Sequence, residues 1–208
     1  AMRKLTYEEV EQRKAEGKLF VDTSKGMIKA LKTKTLVGIH NRAWAINVPK
    51  RMLLCKKIFA KFGMSWMEQP FSVAVGKNIA IGDGCYFNAN TVFVDDYKIT
   101  IEDKVMFGTG CTIITTGHPV HPELRPNGEM YCAPVTIKKG AWLGCNVTVM
   151  PGVTIGENAV IGAGSVVTKD IPDNMIAFGN PCKVYREINE EDKIKYYKDF
   201  TYEYGKIE

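Results

Sequence analysis

Between residues 137 and 169 an apolar side chain recurs at every sixth position: Ile137, Leu143, Val149, Ile155, Ile161 and Val167. Gly follows three of them at Gly144, Gly156 and Gly162, and a small or β-branched residue lies four positions on, at Ala141, Val147, Val153, Ala159 and Ser165. A period of six fits neither the 3.6 of a helix nor a plain alternation. It predicts a β-helix, in which each repeat is one flat face that cannot bury its apolar side alone. Three faces close one coil of about eighteen residues.

Read backwards, the pattern predicts inward residues from Val75 through Ile81, Phe87 and Phe93. It slips by two positions, and then resumes at Ile101, Phe107 and Ile113. Between Ile113 and Ile137 the in-phase residues are Pro119, Arg125 and Tyr131, so residues 115–134 are expected to leave the prism as a loop. Loops of this kind tend to carry function, and this one holds His118 and His121, two of only three histidines.

Residues 1–63 read as helical. Thr6-x-x-Glu9 is a capping box ahead of a charged run that ends before Gly17. A second helix is expected over residues 49–62, with Met52, Leu53, Ile58, Phe59 and Phe62 on its buried face. The β-helix is assigned to residues 64–188. In the tail, residues 189–208, Asn189 with Glu190, Glu191 and Asp192 predicts a short last helix.

Composition narrows the classes. Of 208 residues, 45% are hydrophobic and 25% charged, which suits one globular domain with an accessory segment. No window approaches the ~18 apolar residues needed to span a bilayer, and residues 2–20 have no apolar signal core; no membrane is expected, and the compartment expected is the cytoplasm. Net charge is +5, too mild and too scattered for nucleic acid. The six cysteines show no C-x-x-C spacing and are expected to be reduced, packed thiols, with Cys85 and Cys111 at the small-residue position of the repeat.

Several segments carry a more specific signal: Gly117-His118-Pro119-Val120-His121, Asn127-Gly128-Glu129-Met130-Tyr131, Pro151-Gly152-Val153-Thr154-Ile155-Gly156, the run from Ile161 to Pro172, Gly179-Asn180-Pro181, and the N-terminal Arg13-Lys14-Ala15-Glu16-Gly17-Lys18-Leu19-Phe20. Together they resemble the galactoside/maltose O-acetyltransferases over residues 8–188. The resemblance implies a left-handed coil, a homotrimer with sites between subunits, and acetyl-CoA as co-substrate with no metal required. It also implies transfer of the acetyl group to a sugar hydroxyl by direct attack in a ternary complex.

The resemblance gives His118 the role of general base, a task that suits an imidazole near neutral pH. It places Asp22, Asn88, Asp96 and Met130 around the acceptor sugar, and Ala163, Thr168, Lys169, Lys183 and Arg186 along the CoA groove. The backbone N–H of Cys145 is the implied donor to the oxyanion; nothing near it in sequence would depress the thiol's pKa for a nucleophilic role. Trp142 is implied as a wall of the pantetheine channel, with an interface role as the alternative. One position departs: Ala74 stands where the family can present a serine to the sugar, which leaves galactoside specificity open.

Other readings share the scaffold: a non-sugar acceptor, a coil without chemistry, or a zinc enzyme resembling the carbonic anhydrases built on such coils. His118 and His121 would need a third protein ligand, and His40 is the only other histidine.

Overall fold

The computed structural model describes residues 5–198 and 200–201. Three helices precede the prism: α1 (Tyr7–Ala15), α2 (Ser24–Asn41) and α3 (Val48–Ile58). The α1 capping box forms as expected, Thr6 accepting from Glu9 N–H and Glu9 reaching back to Thr6 N–H. Thr23 caps α2 through Gly26 N–H.

Strands then wind in threes. The first coil is β1 (Lys61–Phe62), β2 (Trp66–Met67) and β3 (Phe71–Val73); the second is β4 (Ile79–Ile81), β5 (Tyr86–Phe87) and β6 (Thr91–Val94); the third is β7 (Ile99–Ile101), β8 (Met106–Phe107) and β9 (Thr112–Ile114). A hairpin of β10 (Thr116–Gly117) and β11 (Tyr131–Cys132) forms the base of the long loop. Winding resumes with β12 (Val135–Ile137), β13 (Trp142–Leu143) and β14 (Thr148–Val149), then β15 (Thr154–Ile155), β16 (Val160–Ile161) and β17 (Val166–Val167). Finally β18 (Met175–Gly179) adds in parallel to β16, and β19 (Cys182–Glu187) turns back antiparallel.

Three parallel faces result: β1-β4-β7-β12-β15 (face one), β2-β5-β8-β13-β16-β18 (face two) and β3-β6-β9-β14-β17 (face three). Along each strand one residue points inward and the next outward. The axis is therefore filled by Ile81, Phe87, Phe93, Ile101, Phe107, Ile113, Ile137, Leu143 and Val149, each at most 2% exposed. Phe87 and Phe107 meet edge to face at 4.8 Å.

The register explains the slips. On face three, Val73 lies under Phe93 and Phe93 under Ile113, steps of 20 residues; Ile113 lies under Val149, a step of 36. From Val149 to Val167 the step is 18, the uninterrupted coil. Each excess falls on the same edge, between faces three and one: residues 74–78, then 95–98, then 115–134. Three successive coils are interrupted at one place.

Four sequence expectations need correction. The repeat does not begin at Val75, which is half-buried; Val73 is the inward residue, and an earlier two-residue insertion follows it. The second helix stops at Ile58, and Phe62 already belongs to the first coil. Its buried face is Arg51, Leu54, Cys55 and Ile58, while Leu53 is exposed. Arg51 takes a core position because its guanidinium donates to the carbonyls of Met67 at 2.7 Å and Ala45 at 3.3 Å and stacks on Trp66. At the end of the chain Asn189 does cap, but a single 3-10 turn, Glu190–Lys193, which gives way to strands.

Candidate functional site

The interrupted edge is joined by its own hydrogen bonds. Asp95, fully buried, accepts from the N–H groups of Ala74 (2.9 Å), Val75 (2.9 Å) and Gly76 (2.6 Å), and its carbonyl accepts from Asn78 Nδ2 at 2.7 Å. Thr115 Oγ1 donates to the Val94 carbonyl and accepts from Tyr97 N–H. The first insertion is thus tied to the second, and the second to the root of the loop.

Next to Asp95, Asp96 turns outward into a cavity of about 670 Å³ that it shares with Asp22, Lys14 and Ala74. Burial raises the Asp96 carboxyl above its usual range, and the nearby Asp22 charge raises it further, against the opposing pull of Lys14 and Lys34. Lys14 is buried, 3.1 Å from Glu11 and 3.9 Å from Asp22. Asp22 is held from both sides, by the capped start of α2 and by Phe20, which exchanges two backbone hydrogen bonds with Met130. That bridge and the buried trio Val10, Phe20 and Cys132 fasten α1 to the loop.

His118 follows Gly117 in the loop hairpin. A Cβ on Gly117 would lie 2.6 Å from the Tyr131 hydroxyl, so a larger residue there would push the exposed phenol aside. His118 Nδ1 is 2.8 Å from the Glu129 carbonyl. A carbonyl can only accept, so Nδ1 carries the proton and Nε2 keeps a lone pair on an exposed ring. Glu129 is itself fixed: its carboxylate accepts from Asn127 N–H and Nδ2, and those bonds hold its pKa below the usual range.

The remaining residues lie elsewhere on the prism. Asn88, Cys145 and Ala163 line the edge between faces two and three, stacked coil over coil. There a Cβ on Gly108 would sit 2.6 Å from the Cys145 nitrogen, and the Cys145 N–H meets no acceptor among the described residues. Cys145 is also the exposed exception to the packed-thiol expectation; the other five cysteines are buried, and burial pushes the Cys55 thiol up to about 12. Thr168 and Lys169 are exposed, on the interrupted edge but past the last coil's β17. Trp142 stands half exposed on face two. Lys183, on β19, lines a shallow 390 Å³ hollow with Phe178 and Tyr185. Arg186 is engaged by Asp192 in a two-pronged ion pair at 2.6 and 2.7 Å, an arrangement its sequence position did not suggest.

One chain therefore gathers Asp22, Asp96, Met130 and His118 around one edge and sets Asn88, Cys145 and Ala163 on another. Sequence reasoning missed Lys14, Asp95 and Glu129. Lys14 stands in the charged run that ends before Gly17, and the residues beside Asp95 in sequence give no sign of its buried partners. Among the described residues no three His, Cys, Asp or Glu side chains converge as metal ligands, and His40 is buried against Phe71. No described helix is long and apolar enough to cross a membrane.

Comparison with known proteins agrees with this architecture. The family described as bacterial transferase hexapeptide (six repeats) matches residues 134–169. A galactoside O-acetyltransferase of Escherichia coli (strain K12) is 50% identical over 189 residues, covering 90% of this chain and 93% of that protein. A solved galactoside acetyltransferase in complex with coenzyme A superposes with a TM-score of 0.88 at 48% identity, over 94% of this chain and 98% of the other. A maltose O-acetyltransferase from Clostridium difficile 630 gives 0.85 at 35% identity, over 90% and 100%. With half its residues shared with such a relative across nearly the full length of both, the chain belongs to the galactoside/maltose O-acetyltransferase family of hexapeptide-repeat enzymes.

Proposed function

We propose that this protein is an acetyl-CoA-dependent O-acetyltransferase acting on a sugar hydroxyl, with His118 as general base. The observation that carries the reading is the His118 Nδ1–H bond to the Glu129 carbonyl, which leaves Nε2 free to take a proton. Asp22 and Asp96 orient the acceptor beside it. As Nε2 removes the hydroxyl proton, the oxygen adds to the acetyl carbonyl carbon. The negative charge gathers on the carbonyl oxygen, where the Cys145 N–H donates. Collapse reforms the carbonyl and breaks the carbon–sulfur bond, and His118 returns its proton to the departing CoA sulfur. No covalent enzyme intermediate is needed.

His118 and Cys145 lie on different edges of one chain, so the reading requires a second copy to bring them together. A homotrimer, each site formed by the loop of one subunit and the coils of its neighbour, meets that requirement. Support comes from face two, whose outward residues Trp66, Tyr86, Met106, Trp142, Val160 and Ile176 stack in register as an apolar ladder. Trp142 in that ladder, with Ala163, Thr168, Lys169 and Lys183, forms the CoA groove; Arg186 contributes only if its pair with Asp192 opens. Six free thiols suit the cytoplasm.

The test is acetyl-CoA consumption against a panel of sugars and amines. His118→Ala should lower kcat by about 10²–10⁴-fold while CoA binding by calorimetry is kept. Near-normal turnover in that variant would remove His118 as the base.

A further inference from the structure

The cavity holding Asp22 and Asp96 has an uneven charge. Six lysines line it against three carboxylates, Glu11, Asp22 and Asp96. Lys14 is committed to Glu11 and Asp22, and Lys77 donates to the Phe59 carbonyl at 2.9 Å. Of the other four, Lys29 lies over the Tyr7 ring at 3.9 Å, while Lys32 and Lys34 on α2 and Lys57 on α3 form no ion pair with a carboxylate among the described residues. Lys34 is close enough to act on the Asp96 carboxyl. The acidic end, with short carboxylates, suits sugar hydroxyls, which both donate and accept. The lysine wall does not: an uncharged sugar offers no counter-charge to these ammonium groups, and Ala74 presents no hydroxyl to it.

We propose that the acceptor is a sugar phosphate, its hydroxyls facing Asp22 and Asp96 and its phosphate lying between Lys34 and Lys57. A phosphomonoester carries close to two negative charges at neutral pH, which the two lysines match, and lysine serves phosphate as a point charge without a fixed fork. The cavity, at about 670 Å³, lies within the usual range of small-molecule sites. The inference rests on the acetyl-transfer reading above and names its substrate class.

The experiment compares glucose 1-phosphate with methyl α-glucoside as acceptors for the full-length protein and for Lys34→Gln/Lys57→Gln. Glucose 1-phosphate should have a kcat/KM at least tenfold higher, through a lower KM. The advantage should shrink as salt rises from about 20 to about 300 mM, because exposed charges are screened. In the double variant the ratio should fall towards one. Equal use of both acceptors by the unmodified protein, or a preference that survives in the double variant, overturns the inference and leaves acetyl transfer standing. Should no acceptor be acetylated, the enzymatic reading itself fails, and calorimetric titration with glucose 1-phosphate decides the binding question. Binding lost in the double variant upholds the lysine site; no binding, or binding unchanged by the substitutions, overturns it.

Discussion

Asp95 gathers three backbone N–H groups onto one carboxyl that water does not reach. Burial pushes it up to about 7, and the N–H donors of Val75, Gly76 and Ala74 pull the other way. An acid raised in the folded state binds a proton there that the unfolded chain, with a pKa near 3.9, has already released. Its contribution to stability is therefore full at low pH and declines between about pH 4 and 7. Asp95→Asn has no such titration. The advantage in Tm of the unmodified protein over this variant should shrink from pH 5 to pH 8; a difference constant across that range refutes the role. Side-chain roles were unevenly legible. His118 stood out as a candidate base because few histidines exist and its motif is specific. Asp95 was not, because its partners lie 19–21 residues back and become neighbours only through the coil register. Leu53 misled because Arg51, polar in sequence, takes the inward position through two carbonyls.

At the scale of elements, α1 and the loop act as one piece. Val10, Phe20 and Cys132 are buried together, and Phe20 pairs with Met130. Val10→Asp would place an unpaired carboxyl in that cluster, at a local cost of several kcal/mol. The prism does not depend on it, so the variant should remain folded by circular dichroism. Its KM for the acceptor should rise at least tenfold while that for acetyl-CoA stays within about twofold; equal changes in both would show that α1 does not serve the acceptor side. The capping box made α1 readable. The 18 residues of α2 fell within the stretch read as helical but got no bounds of their own, since Gly26, Gly38 and two threonines lower helix propensity and only Thr33, Val37 and His40 are buried. So narrow a stripe is hard to tell from a loop. The last helix failed for the opposite reason: its cap is real, but Ile194, Tyr197 and Phe200 beyond it stay exposed, and no buried face holds more than one turn.

In the whole molecule the regular coils and the interrupted edge divide the work. The run from Ile137 to Val167 was legible because each inward residue repeats without insertion. The first coil was not, because its inward residues Phe62, Met67 and Val73 are spaced unevenly and the next follows eight positions later at Ile81. The expectation of a trimer came only through the family resemblance. If the face-two ladder joins copies, Met106→Lys should convert a trimer to monomers in sedimentation and abolish acetyl transfer while leaving the fold intact; an active monomer would show that one chain suffices. The antiparallel return of β19 has a further consequence. A stack of parallel strands ends in a row of unpaired N–H and C=O groups, a template on which another stack could grow. In this chain α3 presses Ile58 and Phe59 over the first coil, and β19 occupies the outer side of β18. Removing residues after Gly179 should uncover that template, so that the shortened protein forms thioflavin-positive fibres where the full chain stays dispersed. The strand that carries Lys183 of the proposed CoA groove then also sets the boundary between an enzyme and a filament.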